Sequence, residues 1–223
     1  MFDVHRHISS DGFCDQNALY ATSRVSEWDQ VAAGEAVLSI GALGSEKLPN
    51  VDLVYDRLKQ HPKLQIGEVG LDRRFDDFDD QRAFLEDMLM MGFALDRSVS
   101  IHCVWADGEL LQVLKDHKGH LPVVLWHGCT ASRESRMKAA RMGVILSYGP
   151  RIYESKIAKE GAGLIATPWA LESDWEGPEA DYLPFLEQHV ASFGRLVGLD
   201  VAQVVEHNDG LRTILTDQQT PWG

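Results

Sequence analysis

Short apolar runs rich in Val and Ile alternate along the chain with longer polar stretches in which apolar residues recur at helical spacing. Short apolar runs predict buried β-strands, and the 3.6-residue period predicts amphipathic helices. The predicted strands cover residues 2–5, 18–23, 36–40, 64–68, 99–103, 123–127, 144–147 and 164–166. The predicted helices cover residues 27–33, 51–60, 79–95, 108–115, 132–142, 151–158, 182–196 and 201–216.

Repeated alternation of strand and helix predicts an α/β fold with a parallel sheet. Eight such units in 223 residues favour a closed (β/α)8 TIM-type barrel, regular or distorted, over an open sheet. No repeat, low-complexity segment or long linker divides the chain, so residues 1–223 are predicted to form a single domain.

The composition indicates the cellular compartment in which the protein is expected. The chain has 3 cysteines, Cys14, Cys103 and Cys129, and no CxxC pair, which is typical of a reducing compartment. We find no signal peptide and no apolar run of about 18 residues that would span a membrane. We therefore expect a cytoplasmic protein with no membrane partner.

The net charge of −13 narrows the choice of partner. A protein this acidic offers no broad basic surface for clamping duplex DNA, so tight non-specific DNA binding is not expected. A phosphate substrate remains compatible with the charge, because a metal site and local arginines supply positive charge of their own.

Residues with metal-binding side chains fall where the predicted strands end. In barrels of this kind the chemistry lies at the carboxyl ends of the strands, so donors far apart in sequence converge there. Three donors suffice for one catalytic metal, and six suit two metals that share a carboxylate. The candidate ligands are His5, His7, Glu68, His102, His127 and Asp174.

Each candidate ligand also has a simpler interpretation. A single histidine such as His102 or His127 on an apolar strand is more often a hydrogen-bonded core residue, and Asp174 could cap a loop. His5 and His7 are stronger candidates, because a strand places residues two apart on the same face. Glu68, between apolar residues and glycines, must be paired, protonated or metal-bound. All six at strand ends together favour a metal site.

The order and spacing of several motifs resemble those of the TatD family of metal-dependent hydrolases. FDVHRH resembles the family's D-x-H-x-H, IGEVGLDRRF resembles G-E-I-G-L-D-Y, LWHGCTAS resembles H-C-F-T-G-S, and ALESDW resembles L-E-T-D-x-P. GEVGLD and LESD are fairly specific, whereas the first motif alone is weak. The resemblance runs over nearly the whole chain.

The resemblance implies a (β/α)8-type barrel with a divalent metal centre. By position, His5 and His7 correspond to ligands of one metal, and His102 and His127 to ligands of a second. Glu68 corresponds to the bridging acid, and Asp174 to the acid beside the attacking water. We expect one or two ions per chain, and mixed imidazole and carboxylate donors favour Zn, Mn, Fe or Ni over Mg.

The chain departs from the family's pattern at the border of the expected substrate pocket. Ala42 stands where the family often has the histidine of a G-x-H-P motif, and Arg73 stands where Tyr is common. Cys129 replaces a common Phe, and Trp175 does not lead into proline. None of these positions is a proposed ligand, so the substrate is less well defined than the metal site.

Arginines and aromatic residues near the ligands are candidates for substrate contact. Arg73 and Arg151 lie in strand-end loops, where a guanidinium could bind a phosphate. Arg6, between two ligands, is expected on the opposite side of its strand. Barrel packing is the favoured interpretation of three tryptophans near the ligands. These are Trp105, Trp126 and Trp169.

Three functions remain open from the sequence. The first is a metal-dependent phosphoesterase or nuclease that acts on nucleic-acid ends or small phosphate esters, with metal-bound hydroxide as nucleophile and Asp174 and Glu68 as catalytic residues. The second is an amide, ester or lactone hydrolase with the same centre. The third is a non-catalytic metal-binding barrel. The sequence leaves the oligomeric state open.

Overall fold

Eight parallel strands form one sheet in sequence order in the computed structural model, which describes residues 1–9, 16–29 and 37–217. This arrangement is a single-domain (β/α)8 barrel, as the alternation of elements predicts. The strands are β1 Asp3–His7, β2 Ala18–Ala21, β3 Val37–Ile40, β4 Gln65–Asp72, β5 Val99–Val104, β6 Val124–Trp126, β7 Ile145–Tyr148 and β8 Trp169–Leu171.

Helices of the outer layer connect most of the strands. The α-helices are α1 Val51–Gln60, α2 Phe78–Leu95, α3 Asp107–Asp116, α4 Arg133–Ala140, α5 Glu179–Val197 and α6 Val201–Thr216. In the described residues, three 3-10 helices cover Val25–Glu27, Pro150–Glu154 and Lys156–Ile165. No helix in the described parts of the chain is long and apolar enough to cross a membrane.

The predicted elements agree with the structure except near two chain segments. The predicted strand at 164–166 is wrong, because these residues end a 3-10 helix and β8 begins at Trp169, after Pro168. A short buried apolar run has no periodicity that separates strand from helix, and the strand begins only after the proline. The predicted helix at 151–158 is two 3-10 helices. Of the helix predicted at 27–33, Glu27 ends a 3-10 helix, Trp28 and Asp29 form a turn, and residues from 30 onward lie outside the described residues.

The barrel closes between β8 and β1 through hydrogen bonds beyond the end of β8. The Asp174 amide donates to the His5 carbonyl at 3.1 Å, and the His7 amide donates to the Trp175 carbonyl at 3.0 Å. Asn208 of α6, which is fully buried, supports the seam from outside. Its Nδ2 donates to the carbonyls of Phe2 at 2.9 Å and Leu171 at 2.6 Å. Closure therefore fixes the loop that carries Asp174 against β1.

Candidate metal centre

The carboxyl ends of β1, β4, β5 and β6, together with the loop after β8, bring all six predicted ligands into one cluster. Among the described residues, three sets of three donor atoms each lie within 4.8 Å of one another, and the third set, His5, His127 and Glu172, shares one histidine with each of the other two. The first, called the β1 group, contains His5, His7 and Asp174. The second, called the β5–β6 group, contains Glu68, His102 and His127.

The β1 group is open enough to hold an ion between its donor atoms. Asp174 Oδ1 lies 3.5 Å from His7 Nε2 and 4.0 Å from His5 Nε2. His5 is completely buried, whereas 24% of the Asp174 side chain is exposed. Asp174 therefore lies at the side of the group that water reaches.

Glu68 connects the two groups through its two carboxylate oxygens. Its Oε1 lies 2.7 Å from both His102 Nδ1 and His127 Nε2 in the β5–β6 group. Its Oε2 lies 3.6 Å from His7 Nε2 in the β1 group. A carboxylate that faces one donor set with each oxygen has the arrangement expected of a bridging ligand between two ions.

Strand alternation explains why β1 supplies two ligands. Residues two apart face the same side, so His5 and His7 point to the centre and Arg6 points away. Arg6 is fully buried, donates to Glu179 at 2.7 Å, and lies 3.6 Å from the centre of the Tyr182 ring. The expected position of Arg6 on the opposite side of the strand is confirmed.

Three further side chains hold the ligand histidines by the ring nitrogen that faces away from the centre. Ser100 Oγ lies 2.9 Å from His5 Nδ1, and Asp72 Oδ2 lies 3.0 Å from His102 Nε2. Glu172 Oε1 lies 3.4 Å from His127 Nδ1, an ion-pair contact without hydrogen-bond geometry. Such partners orient imidazole ligands and fix which nitrogen is free for a metal.

The sequence analysis missed these three residues, although the strand period offered a signal for two of them. Asp72 lies four residues after Glu68 on β4, and Ser100 lies two residues before His102 on β5. Both spacings are even, which places each side chain on the same face as the ligand of its strand. Glu172 lies beyond the end of β8, where the strand period gives no such signal.

Attraction between imidazoles and carboxylates dominates the electrostatics of the β5–β6 group. Burial disfavours the charged form of His127, but attraction by Glu68 and Glu172 outweighs it and raises the pKa of His127 well above its usual value. Burial likewise disfavours the Glu68 carboxylate, yet His127 and His102 hold its pKa well below the usual range. Glu68 is therefore ionised, as a bridging ligand must be.

The β1 group contains one strongly acidic carboxyl and one suppressed imidazole. Burial opposes ionisation of Asp174, but the hydrogen bond with His7 and attraction by His127 and His5 lower its pKa to about 2. Burial and the positive charge of His127 lower the pKa of His5 well below its usual value. Neutral His5 and ionised Asp174 are in the protonation states that bind metal. Burial disfavours the charged form of His7, but its hydrogen bond with Asp174 and attraction by Glu68 raise its pKa to about 9, so a metal that binds His7 displaces a proton.

The donor set fits divalent metal ions. It combines imidazole nitrogens with carboxylate oxygens, which suits transition metals better than Mg²⁺. His5 Nε2 is buried with no hydrogen-bond partner among the described residues, and it points at the Asp174 carboxylate. Burying an unpartnered polar atom is costly, and a bound cation would remove that cost.

The two predicted substrate-binding arginines have different surroundings. Arg73 forms an ion pair with Glu109, and its guanidinium lies 4.4 Å from the centre of the Phe78 ring. Arg151 is exposed and lines the cavity beside His102, His127 and Asp174. Arg151 is therefore placed to meet a ligand at the centre, whereas Arg73 is held by its own partners.

The tryptophans and cysteines near the ligands differ in their surroundings. Trp126 and Trp169 are buried, as packing predicts, but this interpretation is wrong for Trp105, which is 76% exposed. Burial raises the pKa of the Cys129 thiol to about 12 and that of the Cys103 thiol still further. Both thiols stay protonated, so neither acts as a nucleophile at neutral pH.

Comparison with known proteins supports the same fold. Residues 42–168, more than half of the chain, match the sequence model of a family described as TatD related DNase. The structure is similar to that of YjjV, a TatD homolog from Escherichia coli K12, with a TM-score of 0.74 and 18% identity over 90% of this chain and 86% of that chain.

A second solved structure agrees with the first. It is a TatD family hydrolase from Entamoeba histolytica, with a TM-score of 0.72 and 10% identity over 97% of this chain and 98% of that chain. At these identities the two likenesses establish the barrel fold. No curated protein matches the chain.

Proposed function

The chain belongs to the TatD related DNase family, and from this membership we propose that it is a divalent-metal-dependent hydrolase that cleaves a phosphoester bond in a DNA end or a small phosphate ester. The observation that carries the proposal is the position of Glu68. Its Oε1 faces His102 and His127 of the β5–β6 group, and its Oε2 faces His7 of the β1 group. This arrangement supports a centre for two ions, which suits in-line displacement at phosphorus.

The ligands would hold one ion in the β1 group and one in the β5–β6 group, with Glu68 shared between them. Bound divalent ions lower the pKa of coordinated water and polarise a phosphoryl oxygen. Asp174, the more exposed acid of the cluster, orients the attacking water and accepts its proton at Oδ1. Ser100, Asp72 and Glu172 keep the histidine rings in place. Arg151 neutralises charge on the phosphoryl oxygens.

An amide, ester or lactone hydrolase with the same centre is the second candidate. The net charge of −13 favours it, because an acidic protein attracts polyanions poorly. The buried Ala42 also stands at a position where the family often has a histidine. The third candidate, a non-catalytic metal-binding barrel, is disfavoured because a structural site needs no second set of ligands.

A substrate panel tests the proposal and separates the candidates. Metal-free protein is loaded with Zn²⁺ or Mn²⁺, its metal content is measured, and turnover is assayed on bis-p-nitrophenyl phosphate and on ester, lactone and amide substrates. We expect one to two ions per chain and turnover of the phosphodiester. Turnover of only the carbon esters or amides would support the second candidate. Bound metal with no turnover would support the third.

A further inference from the structure

A groove extends from the metal centre over the loops that follow β5, β6 and β7. The cavity that contains His102, His127 and Asp174 shares lining residues with a larger groove of about 710 Å³. The shared residues are Cys103, Val104, Gly128, Thr130 and Arg151. The two spaces are therefore continuous, and Arg151 lies where they join.

Trp105 lines the groove beyond this junction and remains open to solvent. It lies between the end of β5 and the start of α3, with 76% of its surface exposed. Its φ of 54° lies in the left-handed region, which a bulky residue rarely adopts. Such conformations cost free energy and cluster at functional sites. An indole held open beside a reaction centre offers a flat face on which an aromatic ring can stack.

The charge of the groove limits how many anionic groups a ligand can carry. Asp107, Glu109 and Glu154 line it, and among its described lining residues Arg151 is the only cation. Glu109 is paired with Arg73, but Asp107 and Glu154 have no ion pair with any residue in the described ranges. A single phosphate can contact Arg151, whereas a second phosphate farther along would face carboxylates.

We propose that this groove selects small phosphate esters with one flat ring, which stacks on Trp105 while the single phosphate lies at the metal ligands and Arg151. Asp107 and Glu154 then exclude substrates with further phosphates, such as long oligonucleotides. This inference rests on the proposed phosphoester hydrolysis and specifies its substrate class. It predicts that binding of the ring and binding of the phosphate depend on different residues.

Binding measured by calorimetry separates these two contributions. Thymidine 5′-monophosphate and inorganic phosphate are titrated into the metal-loaded protein. In Trp105→Ala the dissociation constant for the nucleotide should rise by about tenfold, since a stacked base is lost, and that for phosphate should not change. Trp105→Phe should restore most of the affinity, and Tyr55→Ala, at an exposed aromatic residue on α1, is the matched control. Unchanged nucleotide binding in Trp105→Ala would overturn the proposal.

A chain-length series tests the exclusion of polyanions. Thymidine 5′-p-nitrophenyl phosphate should be turned over with a higher kcat/KM than an oligothymidylate of about ten nucleotides. The double variant Asp107→Asn/Glu154→Gln should lower the KM for the oligonucleotide by about fivefold at low salt. Equal kcat/KM for both substrates in the wild-type protein would contradict the inference.

The two proposals fail in different ways. Phosphoester turnover with nucleotide binding unaffected by Trp105→Ala leaves phosphoester hydrolysis standing and overturns the groove assignment. Nucleotide binding that depends on Trp105, without turnover of any phosphoester, supports the groove and overturns phosphoester hydrolysis.

Discussion

Asp174 combines two properties that separate it from the other candidate ligands. It has a φ of 51°, in the left-handed region, and its amide donates to the His5 carbonyl at 3.1 Å. The backbone therefore holds the carboxylate over the β1 group although the side chain reaches solvent. A carboxylate in this position is suited to binding the attacking water more than to completing a buried ligand set.

Replacing Asp174 by Asn should separate hydrolysis from metal binding. We expect Asp174→Asn to retain most of its metal, because His5, His7 and Glu68 remain, and to lose about 100-fold in kcat, because an amide cannot accept the proton. Metal analysis and phosphodiester turnover check the two effects. The control is Glu176→Gln, which changes another acid near His7 but should keep near-normal turnover. Undiminished turnover in Asp174→Asn would remove Asp174 from this role.

Burial of His189 makes the stability of the folded protein sensitive to acid. It is 3% exposed, and its Nε2 donates to the Tyr148 carbonyl at 3.2 Å while Nδ1 accepts from the Tyr153 hydroxyl at 2.8 Å. Both nitrogens are satisfied by the neutral ring. Burial accordingly lowers the pKa of His189 to about 4.

The depressed pKa of His189 predicts a loss of stability at acid pH. The unfolded chain takes up a proton at His189 near pH 6.5 and the folded chain only near pH 4, so its stabilising contribution is complete above about pH 6.5 and is lost as the pH falls. Between about pH 7.5 and pH 5 the wild-type protein should lose about 2 kcal/mol more than His189→Gln in the free energy of unfolding. Urea titrations at both pH values measure the difference. His120→Gln, at an exposed histidine, should behave like the wild type, and equal losses in His189→Gln and the wild type would contradict the assignment.

Among the elements, β4 depends most on close approach to its neighbours. It is buried along its whole length and pairs with β5 from Ile66 to Asp72. A Cβ on Gly70 would lie 1.9 Å from the His102 carbonyl oxygen, and Gly70 has a φ of 156°. Any side chain at this position would separate the strand that carries Glu68 from the strand that carries His102.

Two glycine substitutions should therefore have opposite effects on stability. Gly70→Ala should destabilise the protein by more than about 3 kcal/mol and lower metal affinity, since β4 and β5 must move apart. Gly210→Ala should stabilise it by about 1 kcal/mol, because Gly210 lies in α6 with open space around it. Denaturant unfolding and metal titration compare the two. A Gly70→Ala protein as stable as the wild type would show that the strands can adjust.

The elements also differ in how well the sequence pattern predicts them. Long amphipathic helices such as α1 and α6 were predicted with the correct ends, because their apolar spacing and capping residues agree. The strand predicted at 164–166 is wrong because burial does not distinguish a strand from a 3-10 helix. Leu164 is buried although it lies in a 3-10 helix. Asp72 and Ser100 hold ligand histidines on other strands, and spacing within one strand gives only the face on which each of them lies.

At the scale of the whole molecule, the alternation of elements predicted the barrel and the strand ends predicted the cluster. Parallel strands have their carboxyl ends at one rim, so residues spread from His5 to Asp174 had to converge there. The groove could not be predicted from the alternation of elements or from the strand ends. Its volume and the exposure of Trp105 depend on how three loops pack against each other, which no local pattern encodes.

Because the ligands come from β1, β4, β5, β6 and the loop after β8, metal binding should stabilise the whole barrel. An ion that binds only the folded state at about 100 times its Kd adds about 2.7 kcal/mol, or about 5–10 °C in Tm for a domain of this size. Calorimetry of chelated and Zn²⁺- or Mn²⁺-loaded protein measures the rise. His5→Ala/His7→Ala should keep a barrel-like circular dichroism spectrum, bind one ion fewer and show about half the rise, since the β5–β6 group remains. His61→Ala/His120→Ala, outside the cluster, should keep the full rise, and a Tm that is insensitive to metal in the wild-type protein would refute the two-ion centre.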